Sequence, residues 1–135
     1  MSKALQYLGI ARMSGNIELG EENAKALVKA GKARALLLAG DASEGVKKRC
    51  EGYVYGFRAP LIVLPWTKTE LGGAVGRAQC AVAALRDLGL AKSLADALAA
   101  EYGEAYAPAA AALDETQKRI KARKTAKPGK RRKSE

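Results

Sequence analysis

Residues 34–44 read Arg34-Ala35-Leu36-Leu37-Leu38-Ala39-Gly40-Asp41-Ala42-Ser43-Glu44. The apolar run between Arg34 and Gly40 is too short for a helix and has no polar alternation, the pattern of a strand covered on both faces. Directly after it, Asp41 and Glu44 have the three-residue offset of a capping box, which opens a helix through Lys47, Lys48 and Cys50 to about Tyr55. A doubly covered strand feeding a helix belongs to a layered α/β fold, with that strand inside its sheet.

The same alternation continues on both sides. Upstream, Lys3–Met13 brings Leu5, Leu8, Ile10 and Met13 within helical reach, with Gly15 as a stop. Ile17–Leu19 is a short strand, and Gly20 then opens a helix from Glu21 to Ala30 that is acidic in its first turn, basic in its last and closed by Gly31. Downstream, Leu61–Leu64 repeats the buried-strand pattern before Pro65, and Thr67-Lys68-Thr69-Glu70 is a second capping box for a short helix to Val75. Cys80–Leu85 reads as a fourth strand, Leu90–Tyr102 as a helix, and Ala107 to about Lys124 as a further helix fading into a basic arm. The expected fold is α/β: a three-layer α-β-α sandwich with a mixed four-stranded sheet, plus a basic C-terminal tail. Residues 1–104 form the domain, 105–124 a helical extension, and 125–135 a disordered tail; no internal repeat is visible.

Composition narrows the chemistry. At 135 residues the chain suits one domain with a tail, and 48% apolar but 5% aromatic residues imply a core built from small side chains. There is no His, which excludes Ser-His-Asp triads, Cys-His dyads and His-containing zinc sites. Cys50 and Cys80 lie 30 apart with no C-x-x-C pairing, so neither a metal knuckle nor a redox motif is present, and a reducing, cytoplasmic setting is expected. The first 15 residues lack a signal-peptide core, and no apolar stretch approaches the ~20 residues of a membrane span.

The net charge of +10 is local. Residues 1–113 hold 14 basic and 11 acidic residues, whereas 114–135 hold 10 basic and 3 acidic. The cations Lys118, Arg119, Lys121, Arg123, Lys124, Lys127, Lys130, Arg131, Arg132 and Lys133 are accompanied by no acid and by one sizeable apolar side chain, Ile120. Such a segment buries too little to offset chain entropy, and it suits an electrostatic nucleic-acid arm or, more plainly, a solubilising tail.

Within the domain, Gly72-Gly73-Ala74-Val75-Gly76 lacks the Lys-Ser/Thr of a phosphate loop, and its glycines are better explained by close packing and a tight exit turn. Cys80 has no imidazole base and reads as a small buried hydrophobe. Glu21 and Glu22 are helix first-turn acids rather than a catalytic pair. The opening of the second helix offers more. Gly20 precedes free helix N–H groups, and Glu22 and Asn23 are residue types that read base edges, with Lys25, Lys29, Lys32 and Arg34 available for phosphates. A solvated charged helix face would look the same.

The collinear order of LGIARMSGNIELGEENAKALVKAGKARALLLAGDASEGVKKRC, Pro60-Leu61-Ile62-Val63 and TKTELGGAVGRAQCAVAAL resembles the ribosomal protein L-seven-Ae and L-thirty-e family, closest to its small bacterial YlxQ-type members. The resemblance covers roughly residues 3–100, with Gly20, its spacing to Asp41-Ala42-Ser43, and Glu70-Leu71-Gly72-x-Ala74-x-Gly76 as anchors. It implies an α-β-α sandwich that binds structured, kink-turn-like RNA in ribosomes or other ribonucleoproteins. It also implies contacts from the turn and helix start at Gly20–Ala26, from the loop Gly76-Arg77-Ala78-Gln79, and from Lys68. Where the family carries Asn, Glu and a later Lys, this chain has Glu22, Asn23 and Ala26, so altered base-edge selectivity is expected. The expectation is a non-enzymatic, monomeric RNA binder with no cofactor or metal, acting on ribosomal or other noncoding RNA beside ribosomal proteins and not on membranes. A folded domain would choose the RNA shape and the tail would add grip. A nucleoid-type DNA binder acting mainly through its tail is the alternative.

Overall fold

The Ser2 hydroxyl accepts from the Leu5 N–H and caps helix α1 (Lys3–Met13). The computed structural model describes residues 2–126. Strand β1 (Ile17–Leu19) leads through Gly20 into α2 (Glu21–Lys29), β2 (Ala35–Leu38) into α3 (Glu44–Val54), and β3 (Leu61–Val63) into α4 (Lys68–Val75). Strand β4 (Val82–Leu85), α5 (Leu88–Tyr102), a 3-10 turn (Glu104–Tyr106) and α6 (Ala107–Ala126) complete it.

The sheet order is β1-β4-β2-β3, with β4 antiparallel to both neighbours and β2 parallel to β3. Strand β2 is interior, as its unbroken apolar run requires. Its pleat divides the core. Ala35, Leu37 and Ala39 face a layer of α1, α4, α5 and α6, where Leu8, Leu71, Leu94, Leu98 and Leu113 are buried. Leu36 and Leu38 face α2 and α3, where Ala24, Val28 and Cys50 are buried. The expected three-layer sandwich with a mixed four-stranded sheet is the observed architecture, and the many alanines let helices approach the sheet closely.

Some boundaries differ for identifiable reasons. Ser43, not Asp41, caps α3 by accepting from the Val46 N–H. The Asp41 carboxylate instead accepts from the Lys68 N–H at 2.8 Å, at the start of α4, so the local Asp41/Glu44 pair is not a capping box. The Thr67/Glu70 box is complete in both directions. Helix α5 starts earlier than Leu90 because Asp87 caps it through the Leu90 N–H. Strand β4 starts at Val82 rather than Cys80, because the Cys80 N–H is turned to the Lys68 carbonyl at 3.0 Å. The unforeseen 3-10 turn covers the outer edge of β3, with the Tyr106 hydroxyl donating to the Val63 carbonyl at 2.7 Å.

Helix α6 continues through Ala126, two residues past the boundary expected at residue 124, and Lys118, Arg119, Lys121, Arg123 and Lys124 lie on it. Asp114 holds it in place, with Lys92 of α5 at 3.8 Å and Lys118 at 3.3 Å. Lys127, Lys130, Arg131, Arg132 and Lys133, and the disorder expected there, lie outside the described residues. Among the described residues no helix is long and apolar enough to cross a membrane.

Glycine use in α4 is asymmetric. A Cβ at Gly72 would stand 2.7 Å from the Arg77 carbonyl oxygen and 2.9 Å from Gln79 Cα, whereas one at Gly73 would meet nothing within 4 Å. Gly72→Ala should therefore cost about 2 kcal/mol by forcing the backbone apart, while Gly73→Ala should add roughly 0.5–1 kcal/mol of stability by helix propensity. Urea unfolding of the two variants checks the contrast, and equal effects would contradict it.

Candidate nucleic-acid interface

Because β1, β2 and β3 run the same way and β4 opposes them, one end of the sheet collects three helix starts and the loop entering β4. Backbone hydrogen bonds tie these segments together. Gly20 N–H donates to the Val82 carbonyl at 2.9 Å, Ala39 N–H to Ala81 at 2.8 Å, and Gly40 N–H to Trp66 at 2.8 Å. Trp66 is itself anchored: its indole N–H donates to the Tyr102 hydroxyl at 3.2 Å, and the two rings meet edge-on at 5.8 Å. Gly40 is required by contact, since a Cβ there would lie 2.7 Å from the Leu64 carbonyl oxygen.

Three helices start at this end, but their N-termini are not equivalent. Ser43 and Thr67 cap α3 and α4 with hydroxyls, whereas Gly20, at φ 93° and ψ 153°, contributes no side-chain cap to α2. Among the described residues no N-cap side chain satisfies the first-turn N–H groups of α2, and such groups at a helix start suit an external acceptor. The positive φ makes Gly20 the residue that can hold this turn.

Glu21 is not a free first-turn acid. Arg49 of α3 grips it through Nε at 2.6 Å and Nη2 at 3.0 Å, and the Tyr53 hydroxyl donates to it at 2.5 Å. These hydrogen bonds, Arg49 first and Tyr53 second, hold the Glu21 carboxyl down to about 2, well below the ordinary range, against a smaller upward push from burial. The ion pair locks the start of α2 onto α3 and cancels a charge that would repel phosphate. Arg49 and Tyr53, 28 and 32 residues away, carry no local sequence signal of this role.

The structure gathers part of the expected residue set. Gly20, Glu22, Asn23, Lys68, Gly76, Arg77 and Gln79 lie at this end, with Glu22, Asn23, Gly76, Arg77 and Gln79 exposed. Gly76 is the left-handed cap of α4 (φ 78°), and the Arg77 N–H returns to Gly72 at 2.8 Å. The loop it opens folds back along α4 before Cys80 joins Lys68. Asn23 has a structural task as well: its Nδ2 donates to the Leu19 carbonyl at 3.0 Å, bracing the turn with one of its two amide N–H groups.

Lys25 and Lys29 run along the α2–α3 seam, their ammonium groups each 5.5 Å from a ring centre, Tyr53 and Phe57 respectively. Lys29 lies over two turns from Gly20, and Lys32 and Arg34 lie beyond α2 at the opposite end of the sheet, so those three do not join this cluster.

Neither thiol is poised for chemistry. Burial pushes Cys50 up to about 11, and it also raises Cys80 even though the Gly20 N–H pulls the other way.

Solved structures share this architecture. A protein of unknown function from Bacillus halodurans C superimposes with a TM-score of 0.69 and 26% identity, over 73% of this chain and 98% of the other. The Giardia lamblia 15.5kD RNA binding protein superimposes with a TM-score of 0.59 and 20% identity, over 71% of this chain and 82% of the other. No known family model matches the chain, and no curated protein matches it by sequence.

The Glu21 lock has a definite pH signature. A carboxyl held near 2 when folded, against 4.5 ordinarily, adds stability that is fully present above about 4.5 and is lost as pH falls toward 2. After allowing for solvent screening, Glu21→Gln should lower stability at pH 7 by about 1 kcal/mol, with the difference from the parent closing at pH 2. Thermal unfolding of both proteins across that range checks it; a difference independent of pH would refute the ion-pair account.

Proposed function

We propose that this protein is a non-catalytic binder of structured, kink-turn-like RNA in the manner of L-seven-Ae-type proteins, working in ribosomes or other ribonucleoproteins. The observation that carries the reading is the convergence of an uncapped helix start at Gly20–Asn23 with the Gly76–Gln79 loop and Lys68, at one end of a rigid sheet. The likeness in fold to an RNA binding protein from Giardia lamblia supports it.

The chemistry of this end suits selectivity more than bulk attraction. Acids and cations are mixed here: Glu22, Asp41, Glu44 and Glu70 accompany Lys25, Arg49, Lys68 and Arg77. A carboxylate at Glu22 accepts from base amino groups, free N–H groups of α2 donate to base or backbone oxygens, and Arg77 and Lys68 supply phosphate contacts. The Arg49 clamp removes Glu21 from that set and fixes the helix start in place. Because Asn23 braces Leu19, Glu22 becomes the principal side chain for base-edge reading, and the RNA chosen should differ from one read by an Asn-Glu pair.

Binding measured by fluorescence anisotropy on the full chain tests this. The protein should prefer a kink-turn RNA over duplex DNA of equal length, and Glu22→Ala or Arg77→Ala should reduce kink-turn affinity by about tenfold, the size of one lost charged contact, while leaving DNA affinity unchanged. Equal affinity for the two nucleic acids, or variants that bind the RNA as well as the parent, would overturn the reading and favour DNA binding through the cationic tail.

A further inference from the structure

At the opposite end of the sheet, α6 and the C-terminal end of α2 enclose an open groove of about 1020 Å³, together with the segment joining α3 to β3. Arg34, Arg58, Arg119, Arg123 and Lys124 line it, and among the described residues no Asp or Glu does. On α6 the lining residues recur every three or four positions, at Thr116, Arg119, Ile120, Arg123 and Lys124, so one helical stripe faces the groove. Asp114 belongs to another face, where it pairs with Lys118 within α6 and binds the helix to the body through Lys92 of α5. The groove is therefore part of the folded domain and not a feature of a loose arm.

Its floor is apolar and its rim aromatic. Val28 and Ile120 line it beside Phe57, whose ring is 37% exposed and carries the Lys29 ammonium 5.5 Å from its centre. Cations that track a backbone, combined with exposed rings on which bases stack, make up the physical requirement for a single-stranded nucleic acid. Four of the five cations are arginines, which hold phosphate bidentately and stack on bases. The chain's residues 127–133 carry five further cations and so do not supply the anion that the groove's charge calls for.

We propose that this groove is a second RNA site that takes a single-stranded segment, with phosphates on Arg34, Arg58, Arg119, Arg123 and Lys124 and a base stacked on Phe57. It stands independently of the kink-turn reading, since it shares no residue with the Gly20–Gln79 end. Occupied together, the two ends would clamp a structured element and the strand that leaves it.

The test uses the full chain, isotopically labelled and titrated with a ten-residue oligouridylate, with inorganic tripolyphosphate as the comparison anion. Amide shifts should concentrate at Gly31, Phe57, Arg58, Thr116 and Arg119, and tripolyphosphate should compete at least tenfold less well than the oligonucleotide. The double variant R58E/R123E should weaken oligouridylate binding about tenfold or more and lower the salt slope by roughly 1.4, the value for two phosphate contacts on a single strand. Phe57→Leu, which keeps an apolar side chain and removes the ring, should weaken it about fivefold with little change in that slope. Kink-turn affinity should change much less in these variants than in Glu22→Ala, so failure here and failure at the other end are distinguishable. Shifts confined to the Gly20–Gln79 end or to residues 127–135 would overturn the proposal, as would tripolyphosphate competing as well as the oligonucleotide.

Discussion

Everything at the Gly20 end depends on one constraint: backbone N–H groups at the margin of a short sheet must find acceptors once water is removed. The strands are three or four residues long, so the ladder runs out quickly and the flanking loops continue it. Ala39 bonds to Ala81, Gly40 to Trp66 and Gly20 to Val82, which extends the hydrogen-bonding order of the strands past their ends, while Cys80 bonds to Lys68 at the start of α4. The helix starts are thus positioned by the same interactions that terminate the sheet. A tight approach at Gly40, where any Cβ would strike the Leu64 carbonyl, is the geometric condition for that continuity. Rigidity in such loops fixes the few groups they present, and loosely held groups would forfeit part of any binding gain to ordering entropy.

Local signals in the sequence read well where the physics is local. The bounds of α1, the complete Thr67/Glu70 box and the left-handed Gly76 exit all follow from neighbours within four residues. The buried run Ala35–Ala39 marks β2 as an interior strand by its own pattern, with no reference to its pairing partners. Asp41 shows where this stops. Its offset to Glu44 imitates a capping box, but Ser43 is nearer the helix start, and the Asp41 carboxylate reaches a backbone N–H 27 residues away. The Glu21–Arg49 clamp is invisible for the same reason, since two surface-type residues on different helices carry no spacing signal until the helices pack. Of the expected site, Gly20, Glu22, Lys68 and Arg77 converge, while Lys29 and Lys32 are carried away by the length of α2 itself.

The charge distribution acquires a structural meaning that composition alone does not supply. The stretch from Lys118 to Lys124 has one sizeable apolar side chain, and its helix is held from upstream: Leu113 is buried against the body, and Asp114 pairs with Lys92. Once started and docked, a helix propagates through residues that could not nucleate it, because each added residue gains a hydrogen bond for one set of dihedrals. Propagation then sorts the cations by face. Lys118 turns to Asp114, while Arg119, Arg123 and Lys124 turn toward Arg34 and Arg58.

That sorting has an energetic consequence. Arg119 and Arg123 stand four apart on one helix, a like-charge pair that weakens the helix by a few tenths of a kcal/mol, and Arg34 and Arg58 face them across the groove without an intervening acid. A fold selected only for stability would relieve this by placing one carboxylate there, as Asp114 does for Lys92 and Lys118 one face away. Uncompensated charge concentrated in a concave site lowers the stability of the free protein and is recovered when a polyanion enters, because the field is focused where the ligand lies. The Gly20 end has the opposite character, with its charges interleaved and its strongest cation, Arg49, already bound to Glu21. One end is thereby suited to recognising shape and the other to holding phosphate, and the sheet between them keeps the two a fixed distance apart.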